Sequence, residues 1–310
     1  MIIHSGLQSI DSKLPVITFG IFDGVHRGHK QLLTQVREMA GRLGVQSAVI
    51  TFWPHPRLVL GKADHDFRLL STLNEKSRLI AETGIDHLLI VPFTADFASA
   101  QPIEFIRGCI YAPFHPSCIL VGDDVHFGAG GRGDISLLSE QGRSLGFEVT
   151  RFDTRIHNRK RISSTNIRYC LKTGDLASAN EMLGYPYTLT GKVITGNRIG
   201  NTIGFPTANL TVPETVKQIP SDGVYAVYAS TGNRMFGGML NIGMRPTIDV
   251  DNHRTIEVHM FGAEGDMYGE NVEIRFVSRL RDEMKFSSLD ELKAQLGHDR
   301  DAAKRILESY

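Results

Sequence analysis

The sequence lacks several features that would settle a class at once. Lysine plus arginine (34) and aspartate plus glutamate (34) cancel to a formal net charge of +0. No global field would therefore hold the chain on nucleic acid or an anionic membrane, and any phosphate binding has to be local. Cysteine is scarce: Cys109, Cys118 and Cys170 form no CxxC pair. That argues against a disulfide framework or structural zinc site and suits a reducing compartment. No apolar run approaches the roughly 20 residues of a membrane span, and no basic segment followed by an apolar core opens the chain. Internal repeats and low-complexity tracts are missing as well. The expectation is a soluble, cytoplasmic protein, a monomer or weak homo-oligomer, with small molecules rather than nucleic acid or membrane as partners.

What is present is 310 residues of ordinary globular composition, 41% hydrophobic and 22% charged, enough for two domains with separate cores. In the first half, strand-like and helix-like segments alternate. A strand at 15–19 leads through a glycine-rich turn to a helix with apolar residues at Leu32, Leu33, Val36 and Met39, and then to a strand at 45–52. Helices are expected around 74–82, 103–110 and 136–145, and strands at 87–91, 117–121 and 147–150. This βαβ alternation predicts an open, doubly wound parallel sheet, in which ligands bind beyond the C-terminal strand ends. Two short helices at 163–183 follow, and then strands succeed one another at 187–194, 223–229, 235–242, 255–261 and 272–277. Such a run predicts a closed antiparallel barrel, with a last helix at 288–307 covering one side. The boundary is placed at 184/185, giving domains 1–184 and 185–310.

The most informative window is Gly20-Ile-Phe22-Asp23-Gly-Val-His26-Arg-Gly28-His29. His26 and His29, three residues apart, fall on one face of a first helical turn. The glycines let a polyphosphate approach backbone amides whose dipole favours negative charge. A second window, Arg161-Ile-Ser-Ser164-Thr165-Asn-Ile-Arg168, reads either as a plain N-cap or as a second phosphate-binding helix start bracketed by arginines. Gly122-Asp123-Asp124 is either a ribose- or adenine-binding turn or simply an acidic one. Pro54-His55-Pro56, beside Phe52 and Trp53, offers a rigid wall for a flat ring system, although Phe52 alone reads as core. In the second half, Gly204-Phe-Pro206-Thr207-Ala-Asn209 is either an ordinary turn or a set of oxygens suited to hydrated Mg2+. Alternation in Thr255-Ile-Glu257-Val-His259 puts Glu257 on one strand face with Thr255 and His259, as a solvated carboxylate or a general base.

Together these motifs resemble the bacterial bifunctional riboflavin kinase/FAD synthetases. The HxGH turn, PHP, GDDVHFG and ISSTxIR are similar to the adenylyltransferase half, and GFPTAN, PSDGVYA, NIGMRPT, IEVH, DMYG and RDEMKF to the kinase half. Two positions depart from that pattern: Asp124-Val125, where Asn or Asp and an aromatic are expected, and Trp53, where an acidic residue is common. The resemblance implies an α/β + β architecture, a Rossmann-like nucleotidyltransferase domain followed by an antiparallel riboflavin kinase β-barrel with a C-terminal helix. It implies ATP binding in the first domain by Gly20, Phe22, Asp23, His26, His29, Asp124, Arg161, Ser164 and Thr165, and flavin binding by Pro54, His55 and Pro56. In the second, Gly204, Pro206, Thr207 and Asn209 would bind ATP, Thr207 and Asn209 would hold Mg2+, and Glu257 would act as base. His26 and His29 would stabilise charge during adenylyl transfer. Riboflavin, FMN and FAD are then substrates or products, with segment 191–204 closing over the nucleotide and 279–286 over the flavin. Transfer to a non-flavin phosphate acceptor, or a binding sensor without turnover, are the competing readings.

Overall fold

The computed structural model describes residues 1–7, 10, 15–63, 65–153, 156–157, 160–195, 204–245, 253–265 and 267–310. The chain divides into two compact units, Met1–Ser164 and Thr165–Tyr310.

The first unit is a six-stranded sheet, every pair parallel, in the order β1-β4-β3-β2-β5-β6. Its strands are β1 (Ile2–Ser5), β2 (Val16–Gly20), β3 (Ser47–Trp53), β4 (His87–Pro92), β5 (Cys118–Gly122) and β6 (Glu148–Phe152). The central strands are apolar runs buried on both faces, as parallel sheets require, while β1 and β6 are the more exposed edges. Helix α1 (Arg27–Leu43) buries Gly28, Leu32, Leu33, Val36 and Ala40, the one-sided stripe of a helix lying on a sheet. It stops at Gly44, whose φ of 66° lets its N–H reach back to the last-turn carbonyls. Helix α2 (Leu73–Ala81) starts with a reciprocal capping box between Thr72 and Glu75, and α3 (Ile135–Leu145) is capped by Asp134. The helix expected around 103–110 is there, but Phe105–Tyr111 winds as a π-helix. Phe19, Phe105 and Phe127 meet at 5.3–5.6 Å between ring centroids and anchor the core. Phe52 lies in that cluster, as its core reading expected.

The second unit opens with α4 (Ser164–Thr173, its first residue closing the first unit) and α5 (Leu176–Leu183). A closed barrel follows: β7 (Tyr187–Ile194), β8 (Ala208–Thr211), β9 (Gly223–Thr231), β10 (Arg234–Arg245), β11 (His253–Met260) and β12 (Asn271–Arg281), in the order β8-β11-β10-β9-β12-β7. All its pairs are antiparallel. Tyr225 and Phe276 cross edge to face at 5.2 Å inside it. Between the expected boundary at 184/185 and the division at 164/165 lie α4 and α5, which the barrel unit holds. The Asn180 amide donates to Phe276 O at 2.8 Å and its oxygen accepts from Tyr187 N at 2.8 Å. The last helix, α6 (Leu289–Glu308), covers the barrel through Ala303 and Leu307 against Ala226 and Met239. Arg281 clasps Asp299 at 2.8–3.1 Å.

Candidate active sites

In the parallel sheet the chain steps outward from β2 to β4 and then returns to the other side of β2 for β5. The loops after β2 and β5 therefore diverge, which is where open α/β sheets bind ligands. The first of them is the Gly20–His29 window. It turns sharply, with Phe22, Gly24 and Val25 at φ of 51°, 78° and 35°. Two non-glycine residues in the left-handed region cost of order 1–3 kcal/mol each, so the turn has to be held from outside.

Asp23 and Ser71 hold it. The buried Asp23 carboxylate accepts from Leu70 N (3.0 and 3.1 Å) and from Ser71 N and Oγ (3.1 and 3.3 Å), and Gly24 N donates to Ser71 Oγ at 3.0 Å. Ser164 Oγ donates to Asp23 O at 2.9 Å. The turn backbone is fixed from the β3 side too, where Thr51 Oγ1 donates to Ile21 O at 3.2 Å.

His26 is the N-cap of α1, its Nδ1 accepting from His29 N at 3.3 Å. The two rings stack at 3.6 Å and 14°, and Phe22 meets His29 edge-on at 5.2 Å. Burial pushes the His26 imidazole down to about 4, against the opposing pull of Asp23. Burial, then His26, then Lys76 push His29 well below its usual range. Both rings are thus neutral at pH 7 with the site free. Because His26 Nδ1 accepts, its proton sits on Nε2, which is left as a donor. His29 Nδ1 is enclosed without a hydrogen-bond partner among the described residues.

Around this centre, Asp123 and Asp124 are exposed in the turn after β5. Pro54 follows a cis peptide bond, and His55 caps the short helix Pro56–Val59 by accepting from Arg57 N at 3.1 Å. The His55 ring lies 4.9 Å from Phe67, which extends the wall begun by the PHP segment. Thr165 is exposed and begins the second unit, and the Arg161 side chain lies outside the described residues.

The barrel site is assembled across strands. The segment Pro206-Thr207-Ala208-Asn209, read as either a turn or a Mg2+-binding oxygen set, runs into a strand, β8, inserted between β11 and β7. Its register sets Asn209 opposite Glu257 on one side and Ile194 on the other, and Asn241 of β10 is opposite Glu257 in turn. Thr207 Oγ1 donates to Glu257 Oε2 at 3.4 Å. Glu257 shares its half-buried face with Thr255 and His259, as the alternation predicted, while Ile256, Val258 and Met260 are buried. His259 Nδ1 is 2.7 Å from Pro206 O and steadies the approach to the strand. Val193, Thr195, Thr207, Asn209, Met260 and Tyr268 line a cavity of about 620 Å³. Gly204 is exposed at φ 85°. Residues 196–203 of the segment expected to close over the nucleotide, and Pro246, Thr247 and Asp266 of two kinase motifs, lie outside the described residues.

Lys76, Thr51, Ser71 and His259 were not marked as site residues. Only His259 carried a signal, its place in the Glu257 alternation.

Comparison with known proteins gives each half of the chain a family. The FAD synthetase family pattern matches residues 9–166 and the riboflavin kinase pattern residues 183–307. A bifunctional riboflavin kinase/FMN adenylyltransferase of Escherichia coli (strain K12) is 39% identical over 94% of this chain and 92% of its own. Its counterpart in Listeria monocytogenes is 39% identical over 92% and 90%. A crystal structure from Streptococcus pneumoniae, named a macrolide-efflux protein, superposes with TM-score 0.87 at 29% identity over 98% of this chain and 99% of that one. No helix among the described residues is long and apolar enough to cross a membrane. With two domain patterns in sequence and full-length relatives matched nearly end to end, the chain belongs to the bifunctional riboflavin kinase/FMN adenylyltransferase family.

Proposed function

We propose that the chain makes FAD in two steps at two separate sites, phosphorylating riboflavin in residues 185–310 and adenylating the resulting FMN in residues 1–184. The observation that carries this reading is that the two family patterns lie end to end in one chain, each over an intact cluster of polar residues.

In the barrel, the riboflavin 5′-oxygen attacks the γ-phosphorus of ATP. An O–P bond forms as the bond to the β-phosphate oxygen breaks, and ADP leaves. Glu257 accepts the hydroxyl proton, and Thr207, donating to its carboxylate, orients it. Gly204 and Pro206 lead Thr207 and Asn209 to the ATP. The Thr207 hydroxyl, just before β8, and the Asn209 amide oxygen on it are oxygens that suit Mg2+, beside the Glu257 base on β11. When bound, the ion would neutralise charge on the phosphates.

In the first domain, an FMN phosphate oxygen attacks the α-phosphorus of ATP and pyrophosphate leaves. Alignment and hydrogen bonding do most of the work here. His26 and His29 act as neutral donors beside the α1 amides, and their stacking keeps both aimed at one place. Gly20 and Phe22 shape the turn, and Asp23 serves it by holding the backbone. Ser164 ties the second motif to the same turn, and its neighbours Arg161 and Thr165 are assigned to phosphate. Asp124 is assigned to the nucleoside, and Pro54, His55 and Pro56 to the flavin ring. Three free cysteines suit a reducing compartment such as the cytoplasm, and a monomer or weak homo-oligomer suffices.

Purified protein incubated with riboflavin, ATP and Mg2+ is expected to yield FMN, FAD and pyrophosphate. A protein yielding neither flavin nucleotide overturns the reading.

A further inference from the structure

Lys76 is among the largest fully buried side chains of the molecule, 1% exposed. Burying an ammonium costs several kcal/mol unless it is paired, and this one makes no close ion pair among the described residues. Its Nζ lies 3.5 Å from Thr51 Oγ1 and 5.2 Å from the centroid of the Trp53 ring, both on β3. The titratable groups facing it are Asp23 from the turn and His29 from α1, and the two β3 neighbours are uncharged.

The direction of the hydrogen bonds is determined by chemistry. An ammonium can only donate, so Thr51 Oγ1 accepts from Lys76 and spends its own proton on Ile21 O at 3.2 Å. The chain ammonium–hydroxyl–carbonyl ends on the backbone immediately before Phe22 and Asp23. The same turn fixes Lys76 from its other end. Asp23 binds Leu70 and Ser71, and the Thr72–Glu75 capping box (2.9 and 3.2 Å) then starts the helix that carries Lys76. A loop of interactions therefore runs from turn to helix, to lysine, to strand and back to the turn.

We propose that Lys76 is a positioning residue for adenylyl transfer. Its ammonium, set between the Thr51 hydroxyl and the Trp53 ring, holds the Gly20–His29 turn in place through Thr51 and Ile21 O, and adds its positive charge to the burial and the His26 ring that already disfavour a proton on His29. The division of labour follows: Lys76 supplies fixed charge, and the histidine pair supplies hydrogen bonds. Burial, opposed by Asp23, brings the lysine itself down to about 8, so it loses that charge in mildly alkaline solution.

The inference rests on the first domain making FAD, and the test separates the two. FMN adenylylation by wild type, Lys76→Met and Lys76→Arg is followed from pH 5.5 to 9.5, with NMR titration of the imidazoles and riboflavin phosphorylation measured on the same samples. Lys76→Met is expected to lower kcat for FAD formation roughly 10–10²-fold, with KM changed less than about threefold and phosphorylation unchanged. The acid limb of kcat and the His29 titration should both move to higher pH. Lys76→Arg, which stays charged, should recover most of the rate and lose the wild-type fall above pH 8. Wild type forming FMN but no FAD overturns the reading and the inference together. Wild type forming FAD, with His29 titrating identically in Lys76→Met, overturns the inference alone, whether or not the rate falls.

Discussion

The two sites solve one problem, placing ATP phosphates against an acceptor, in opposite ways. The first is local and enclosed: ten consecutive residues supply the turn, the helix start and both imidazoles, and burial strips the histidines of charge. The second is non-local and open. Thr207 and Glu257, fifty positions apart in sequence, meet only because β8 pairs with β11, at the edge of a cavity of about 620 Å³. A parallel sheet gathers its functional atoms in loops beyond the strand ends, whereas a barrel places them by cross-strand register. The first kind of site can be read as a motif. The second has to be inferred from alternation plus topology.

Mutation should separate them, and the largest expected effect is at the barrel carboxylate. Glu257→Gln should lower FMN formation about 10²–10⁴-fold and leave FAD formation from supplied FMN intact. Next, His29→Ala should lower FAD formation from FMN roughly 10²–10³-fold, the cost of a lost donor to developing charge, with riboflavin phosphorylation unchanged. Loss of both activities by either folded variant would break the comparison.

Acid should also distinguish the domains. His26 binds a proton at pH 6.5 when unfolded but only near 4 when folded, so in that window the unfolded state binds more protons and stability falls with pH. The loss begins as pH drops through about 6.5 and is complete below about 4, amounting to about 3 kcal/mol. Thermal melts read by tryptophan fluorescence report the first domain, since the single tryptophan is Trp53. Its transition should move down over this range, and a transition unmoved between pH 7 and 5 would contradict the burial assigned to His26. The smallest effect is at the helix that carries Lys76. Thr72→Ala removes one half of the capping box and should destabilise the first domain by about 1 kcal/mol, seen as a lower midpoint in the same fluorescence signal. Riboflavin phosphorylation should be unaffected.

Most of the architecture was legible because both periodicities are strong. The central strands of the first half are apolar runs, two of them, β2 and β5, ending at glycine, and β11 of the second half alternates. Four short strands were missed: the two-residue ribbon Ile156–His157 and Lys160–Arg161, and one strand in each of the two main sheets, these last for a shared reason. β1 (Ile2–Ser5) and β8 (Ala208–Thr211) have four residues each, too few to establish a period, and exist because a neighbour offers an unpaired edge. The HxGH pair was legible because three-residue spacing on a helix is itself geometry. Lys76 was not, since a lysine in a helical pattern reads as solvent-facing. Only the packing of α2 against β3 and the turn reverses that, and local sequence does not encode such packing.

The register of β8 also makes the second site exacting about chain length. Asn209, Glu257 and Asn241 occupy one row across three strands, and successive residues of a strand face opposite sides. Deleting Ala208 would therefore put Thr207 on the face opposite to Asn209, even though every remaining letter is suitable. Changing Asn209 to another small polar residue would leave the row standing. In this barrel, respelling is tolerated better than miscounting.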